Sequence, residues 1–375
     1  MKKIAFVTKG NLPVPAVSGG AVEILIDSLL NSNKINSKYK IDVYSIKSSK
    51  VPKLKNKNNI NYYYIEEKGL IDKLKKITRF IFNKLLKKYI GNLYITKIIK
   101  KYKDRLKEYD YVIVENRPEY GLVLKKYIKG KLILHSHNDF IHNKHINDIM
   151  NYYDEIYCVS KFMCNRIKTN KEKVKLLYNG INIDKFNVPV DIKEERKKWN
   201  LKESDVVFLY TGRLIETKGV KELISAFNNV KKTNYKLLIV GSNNNKKYIK
   251  QLKRLSNNNL NIIYTGFLNY SDIQKIYKIA DYGIVPSIWE EPFALTVVEH
   301  LASGHPVIIT KSGGMPELVN SKCSIIIEKN ENIIENLTNT IEDIEYKKFN
   351  LDDCIKQAKK FSEEKYIDNF IKLLK

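Results

Sequence analysis

Trp289-Glu290-Glu291-Pro292-Phe293-Ala294-Leu295-Thr296-Val297-Val298-Glu299 sets two carboxylates, Glu291 and Glu299, across the expected start of a helix. Pro292 suits the first turn, where a missing N–H costs nothing, and Leu295, Val298 and Leu301 supply a buried stripe. With most of the span helical, the rise alone separates the acids by roughly 10–12 Å. Paired carboxylates that cleave a glycosidic bond stand about 5–9.5 Å apart, so this pair reads as two grips on one long ligand. A ligand with hydroxyls at both ends and a diphosphate between, as in a nucleotide sugar, would set its anionic middle against the helix N-terminus. Two glutamates flanking a helix are by themselves commonly solvated charges, so the weight comes from what surrounds them.

Outward from that helix, apolar strands alternate with helical stretches, the order of parallel α/β sheets. The first series of strands is Ile4–Val7, Ile41–Tyr44, Tyr111–Val114, Leu132–Leu134, Ile156–Val159 and Val174–Leu177. Asn187-Val188-Pro189-Val190 reads as a linker, after which a second series runs Val206–Tyr210, Lys236–Val240, Ile262–Tyr264, Tyr282–Val285, Val307–Ile309 and Ser324–Ile327. Helices are expected around Ile224–Val230, Ile273–Ile279 and Leu295–Leu301, with a final amphipathic helix from Glu363 to Lys375 through Tyr366, Phe370 and Leu373. The length of 375 residues fits two domains with separate cores. Two doubly wound domains create a cleft at the carboxyl ends of their strands. Neither half carries G-x-G-x-x-G or a Walker A motif, which disfavours a dinucleotide oxidoreductase or an NTPase.

Several short segments lie at those strand ends. Thr211-Gly212-Arg213-Leu214-Ile215-Glu216-Thr217-Lys218-Gly219 offers a planar guanidinium fork and a mobile ammonium for phosphate oxygens. The chain has no D-x-D, the usual acidic handle for a nucleotide-bound divalent ion. Pro13-Val14-Pro15-Ala16-Val17-Ser18-Gly19-Gly20 joins the first strand to the first helix. Its glycines can serve a tight turn or bring backbone N–H groups to an anion. Four of six histidines, His135, His137, His142 and His145, crowd one stretch after the strand ending at Leu134. A metal site through His142 and His145 lacks an acidic or cysteine partner at suitable spacing. Hydrogen bonding to a hydroxyl, or a satisfied buried imidazole, fits better.

Composition bounds the partners. The net charge is +26, yet only seven of 67 basic residues are arginine, a mixture that genome composition alone can produce. Scarce arginine argues against a nucleic-acid-binding protein, which calls for arginine clusters and stacking platforms. From Lys73 to Lys107 there are thirteen Lys/Arg and one acid, Asp104. Two apolar stripes run through that stretch, Leu74-Ile77-Ile81-Leu85 and Ile95-Ile98-Ile99-Tyr102-Leu106, divided at Gly91-Asn92. Such helices can rest on an anionic bilayer, or can turn their apolar faces to the sheet like any other pair. No apolar run approaches the ~18 residues of a membrane span, and the N-terminal run is too short for a signal peptide. Cys158, Cys164, Cys323 and Cys354 form no CxxC pair. A cytoplasmic protein, peripheral on the inner face of the membrane, is the expectation.

At this point the chain resembles the GT-B fold glycosyltransferases of family GT4 over nearly its whole length. Glu291 to Glu299 matches the E-x7-E motif, followed by Gly304-His305-Pro306-Val307-Ile308, and Gly313-Gly314-Met315-Pro316-Glu317 matches the G-G-x-P-E turn. Tyr210-Thr211-Gly212-Arg213-Leu214 with Lys218-Gly219 resembles the phosphate-binding segment, and Asn179 to Phe186 the segment closing the first domain. The resemblance implies two Rossmann-like domains, 1–187 with 362–375 and 188–361, the last helix crossing back to the first. It implies that Glu291 binds donor-sugar hydroxyls, aided by Phe293 and Ala294, and that Glu299 binds the ribose. Arg213 and Lys218 would hold the diphosphate with the N–H groups of Leu295 and Thr296, while Gly241, Phe267 and Leu268 would border the base. Gly19 and Gly20 would border the reacting centre and His137 would contact the sugar.

The implied activity is retaining and metal-independent, without a cofactor. It would move a sugar from a nucleotide-sugar donor, by default a UDP-sugar, to a lipid-linked or growing cell-surface glycan. A GDP-mannose-dependent mannosyltransferase is the enzymatic alternative, and a peripheral membrane protein without nucleotide affinity the non-enzymatic one. The chain departs from the family pattern at Ala294, where glycine is usual, and at His300, where a small residue is common.

Overall fold

Runs such as Ala5-Phe6-Val7 and Val112-Ile113-Val114 are apolar on consecutive positions, so they need cover on both faces, which a parallel sheet between helices supplies. The structure, a computed structural model, describes residues 1–52, 59–67, 69–85, 89–140, 145–243, 245–256, 259–344 and 348–375. It folds into two units, Met1–Tyr178 with Tyr366–Lys375, and Asn179–Lys365.

In the first unit, β1 (Lys2–Val7), β2 (Tyr39–Ile46), β3 (Ile60–Ile65), β4 (Tyr111–Glu115), β5 (Lys131–Ser136), β6 (Glu155–Cys158) and β7 (Val174–Leu176) form one sheet ordered β3-β2-β1-β4-β5-β6-β7. In the second, β8 (Val206–Thr211), β9 (Tyr235–Val240), β10 (Ile262–Gly266), β11 (Tyr282–Val285), β12 (Val307–Thr310) and β13 (Ser324–Ile327) are ordered β10-β9-β8-β11-β12-β13. Every pairing is parallel. Strand order reverses between β1 and β4 and between β8 and β11, and at such switch points an open α/β sheet leaves room for a ligand.

Helices α1 (Ala21–Asn31), α2 (Gly69–Leu85) and α3 (Leu93–Leu106) belong to the first unit, and α4 (Val220–Asn229), α5 (Tyr270–Ile279) and α6 (Leu295–Ala302) to the second. Helix α7 (Glu363–Leu373) starts in the second unit and ends in the first, as the doubly wound reading with a returning helix requires. Its Tyr366, Ile367, Phe370 and Ile371 join Ile4, Phe6, Ile113 and Ile133 in the first unit's core. The Phe370 ring lies 6.0 Å from Phe6 and 6.4 Å from Tyr157.

Two features differ from the sequence reading. Strand β3, Ile60-Asn61-Tyr62-Tyr63-Tyr64-Ile65, was not expected; it is a half-buried sheet edge whose tyrosines pack sideways, Tyr63 on Tyr44 at 5.1 Å and Tyr62 on Tyr64 at 6.0 Å. The units divide at Tyr178/Asn179 rather than near 187. Ile181 exchanges backbone hydrogen bonds with Phe361 and Glu363, and Phe186 packs 5.3 Å from Tyr277, which draws 179–187 into the second unit.

Buried histidine shapes the second core. A side chain at Gly283 would collide with the His300 ring, which packs edge-on to Tyr277 at 4.8 Å. So the bulky residue after Glu299 is accommodated by a glycine on β11. Burial drives the His300 imidazole far below its usual value, with His305 adding to the effect. Burial, helped by Lys278, drives His305 down to about 3.

Two outcomes follow. Phe370→Ala should destabilise the first unit by about 3–5 kcal/mol, read by urea unfolding. His300 and His305 stay neutral when folded but gain protons when unfolded once the pH drops below about 6.5. Stability is therefore complete above that pH and declines as pH falls toward 3. Unfolding midpoints at pH 7.5 and 5.0 should show the loss, and His305→Gln should flatten the slope; an unchanged slope would remove His305 as its source.

Candidate active site

In the second unit, β8 ends at Thr211 and β11 at Val285, the two strands of the switch point, and the segments that follow them line one cavity of about 200 Å³. Its walls include Arg213, Lys218, Glu291, Phe293, Ala294, Leu295 and Thr296. Seven positions chosen from the sequence as donor-binding thus meet in one place. Glu291 is buried, and its Oε1 accepts from Lys218 Nζ at 2.6 Å and from Ser287 Oγ at 2.6 Å. Lysine carries three donors and carboxylate none, so Lys218 can keep Glu291 and still present protons to an anion.

The Glu291 backbone is held from two sides. The Thr217 carbonyl accepts from the N–H groups of Ile288 and Trp289, both at 3.1 Å, and Gly314 N–H donates to Glu291 C=O at 2.7 Å. Gly313, at φ 57°, packs so close that a Cβ would strike the Glu291 backbone. The G-G-x-P-E turn therefore sets the height of Glu291. Its neighbour Glu290 turns away, accepting from Gly313 N–H at 2.5 Å and from Lys329 Nζ at 2.5 Å.

These ties correct the expected helix start. Helix α6 begins at Leu295 with Ala294 as N-cap, so Pro292 lies ahead of it. The Glu291 carbonyl accepts from Gly314 N–H across the loop rather than from a helix N–H. Ala294 has ordinary φ of −96° and offers no side-chain cap, so its methyl is accommodated; its carbonyl takes the Val297 N–H at 3.1 Å, while the N–H groups of Leu295 and Thr296 precede the first intrahelical bond. Leu295 and Thr296 bring those groups to the cavity wall.

Glu299, four residues into α6, is held by Tyr277 Oη on α5 at 2.9 Å, and Tyr277 also bonds Thr211 Oγ1 at 2.8 Å. Burial raises the Glu299 carboxyl above its ordinary value, with the Tyr277 hydrogen bond opposing. Tyr277 was not singled out in the sequence; an aromatic on the buried stripe of α5 carries no local signal for this role. Gly241, Leu214, Ser242 and Lys246 line a separate cavity of about 560 Å³, beside which β10 ends at Gly266. Phe267 follows and is 76% exposed, and Leu268 is half-buried.

In the first unit, Glu115 closes β4 and lies wholly buried beside β5. It accepts from His137 Nε2 at 3.1 Å and from His135 Nδ1 at 3.2 Å. Burial opposes the charge of Glu115, but His135 and then His137 outweigh it and hold the carboxyl down at about 2. Asn116, with the left-handed φ of 53°, accepts from the N–H groups of His137 and Asn138, both at 3.1 Å. Glu115 and Asn116 went unread in the sequence, although a carboxylate ending the apolar run Tyr111-Val112-Ile113-Val114 was the available signal.

The donor atoms of Glu115, His135 and His137 lie within 4.8 Å of one another, a spacing a cation could bridge. This acid serves His135 and His137, not the His142–His145 pair that the sequence offered as a metal site. With both imidazoles donating to Glu115, the carboxylate is satisfied by hydrogen bonds alone. His145 stands apart and 82% exposed near Asp148 at 4.0 Å, and His142 lies outside the described residues. Gly19 and Gly20 precede α1 with φ of 74° and 105°, and the space beside Gly20 is taken by the Glu23 carboxyl, which burial raises, with the charge of Glu115 adding.

Residues 191–375 match the model of the family described as glycosyl transferases group 1. An uncharacterized glycosyltransferase of Methanocaldococcus jannaschii is 30% identical over 185 residues, which is 47% of each chain, so this alignment spans about half of that relative. The lipopolysaccharide 1,2-N-acetylglucosaminetransferase of Salmonella typhimurium is 25% identical over 338 residues, covering 85% of this chain and 83% of its own. Among solved structures, Anabaena HepE in complex with UDP superposes with a TM-score of 0.73 at 18% identity, covering 100% of this chain and 99% of HepE. With two parallel α/β units, a returning helix and these likenesses, the chain is a glycosyltransferase of GT-B fold whose residues 191–375 are of the group 1 type.

Proposed function

We propose that the chain transfers a sugar from a UDP-sugar, with retention of anomeric configuration and without a metal ion, to a lipid-linked or growing cell-surface glycan. The observation that carries this is the cavity in which Arg213, Lys218, the α6 N-terminus and a Lys218-tethered Glu291 converge. Charge on a departing diphosphate would meet a guanidinium, an ammonium and oriented backbone dipoles together. Such preorganised electrostatics is the main device available to a transferase without a metal.

Glu291, acceptor-only and fixed by Lys218 and Ser287, suits donor-sugar hydroxyls, and Glu299 on its Tyr277 brace suits a ribose. His137, carried over as a sugar contact, is oriented by Glu115 through Nε2. Gly241, Phe267 and Leu268 are assigned the base side by the same family pattern. UDP is favoured because HepE, alike in fold, is a UDP complex. The Salmonella relative's name supports a surface-glycan acceptor, and the thirteen basic residues of 73–107 support an anionic surface as partner.

Thermal shift without metal tests the donor site directly. UDP and one UDP-sugar should raise the unfolding midpoint, by the equivalent of about 2.7 kcal/mol at hundredfold excess over Kd, and Glu299→Ala should abolish the shift. Stabilisation by GDP and GDP-mannose alone would install the mannosyltransferase alternative, and silence from every nucleotide would end the transferase assignment of this cavity.

Transfer itself should fall by about 10²-fold or more in Glu291→Ala, with the fold intact. A chelator should leave turnover unchanged, and proton NMR of the product should show the donor's anomeric configuration. Activity that a chelator removes and Mg2+ restores would defeat the metal-free reading.

A further inference from the structure

The two basic helices of the first unit face opposite ways. Helix α3 does what a soluble helix does: Leu93, Ile95, Ile98 and Leu106 are buried. Helix α2 is inverted. It is held to the protein by its polar side, Asp72 to Lys97 at 2.7 Å, Lys76 to Glu67 at 2.7 Å and Arg79 to the Gly91 carbonyl at 3.4 Å. Its apolar side points away, with Leu70, Ile71, Leu74, Ile77, Ile81 and Phe82 between 46% and 78% exposed.

The spacing makes this one continuous face. At about 100° per residue, Leu70, Leu74, Ile77 and Ile81 form a single stripe, with Ile71 and Phe82 on one flank and Phe80, 71% exposed, on the other. Lys73 and Lys75 fall at the two margins. The acids near the helix, Asp72 and Glu67, are spent on ion pairs with Lys97 and Lys76. Monomeric soluble proteins rarely leave such a patch uncovered, and an amphipathic helix with lysine margins is the form that lies in a bilayer interface.

We infer that α2 docks the protein on a membrane by sinking its Leu70-Leu74-Ile77-Ile81 stripe into the acyl boundary, with Lys73 and Lys75 at the anionic headgroups. This deepens the lipid-linked half of the proposed function and assigns it to α2 rather than to the pair α2–α3. Charge decides the occupant. A second copy would bring an identical lysine-margined face against the first, setting like charges together on chains of net charge +26. Anionic headgroups complement the same margins. Among the described residues no helix is long and apolar enough to cross a membrane, so α2 would lie along the surface.

Sedimentation of the full chain with phosphatidylcholine vesicles, with and without phosphatidylglycerol, tests this. The protein should pellet with the anionic vesicles, and Leu74→Ser/Ile77→Ser/Ile81→Ser should weaken binding by ~100-fold. These side chains are exposed, so folding and the nucleotide thermal shift should be unchanged. Lys73→Gln/Lys75→Gln should weaken binding by ~10-fold. The inference is overturned if the protein ignores both vesicle types, or if the triple serine variant binds as the parent does. It is equally overturned if the parent sediments as a dimer without lipid and the triple variant as a monomer, which assigns the face to a second copy. Vesicle binding without any nucleotide shift would instead sink the donor reading and leave the membrane face standing.

Discussion

The second unit's cavity is arranged around one buried carboxylate, Glu291, and the partners that its burial requires. An unpaired carboxylate there would be prohibitively destabilising. Lys218 and Ser287 supply two donors to one oxygen, while Gly313 and Gly314 press on the backbone beneath it. Lys218, Ser287 and the 313–314 turn, far apart in the chain, converge on this group. The same convergence brings Arg213 and the α6 N-terminus to the cavity wall, where an anion would find them.

The first unit solves a similar problem differently. Glu115 also ends a central strand and is also buried, but its partners are two imidazoles from the adjacent strand rather than a lysine. Such a carboxylate stays ionised because two N–H donors face it, and in return it orients both rings. Asn116, in a left-handed turn, fixes the backbone that carries His137. In both units the candidate side chains follow the central strands, because the switch point of a doubly wound sheet is where two connections part and leave polar ends uncovered.

Helices α2 and α3 show how little composition decides about orientation. Both carry lysines and an apolar stripe, and both are amphipathic. In α3 the stripe is buried; in α2 the polar residues Asp72, Lys76 and Arg79 find partners on the protein and the stripe is left outside. Lys97, Glu67 and the Gly91 carbonyl are the partners that hold the polar side of α2 to the protein.

Much was legible beforehand because periodicity and local chemistry are written into consecutive residues. Twelve strands announced themselves as apolar runs, and the E-x7-E and G-G-x-P-E elements lie in short stretches with strong backbone demands. The half-buried edge strand β3 did not, since its tyrosines face neighbours rather than a core. Nor did Glu115 and Tyr277, whose roles rest on partners twenty or more residues away. The helix start at Leu295 rather than Pro292 likewise goes with a long-range tie, the Glu291 carbonyl accepting from Gly314. The amino-acid sequence by itself determined the two parallel sheets and the residue types available for phosphate and hydroxyl binding, because strand and helix patterns are local properties. Tertiary structure alone decided which of those residues share a cavity, which carboxylates are paired and which helix keeps its apolar side outside, because burial and pairing are properties of neighbours in space.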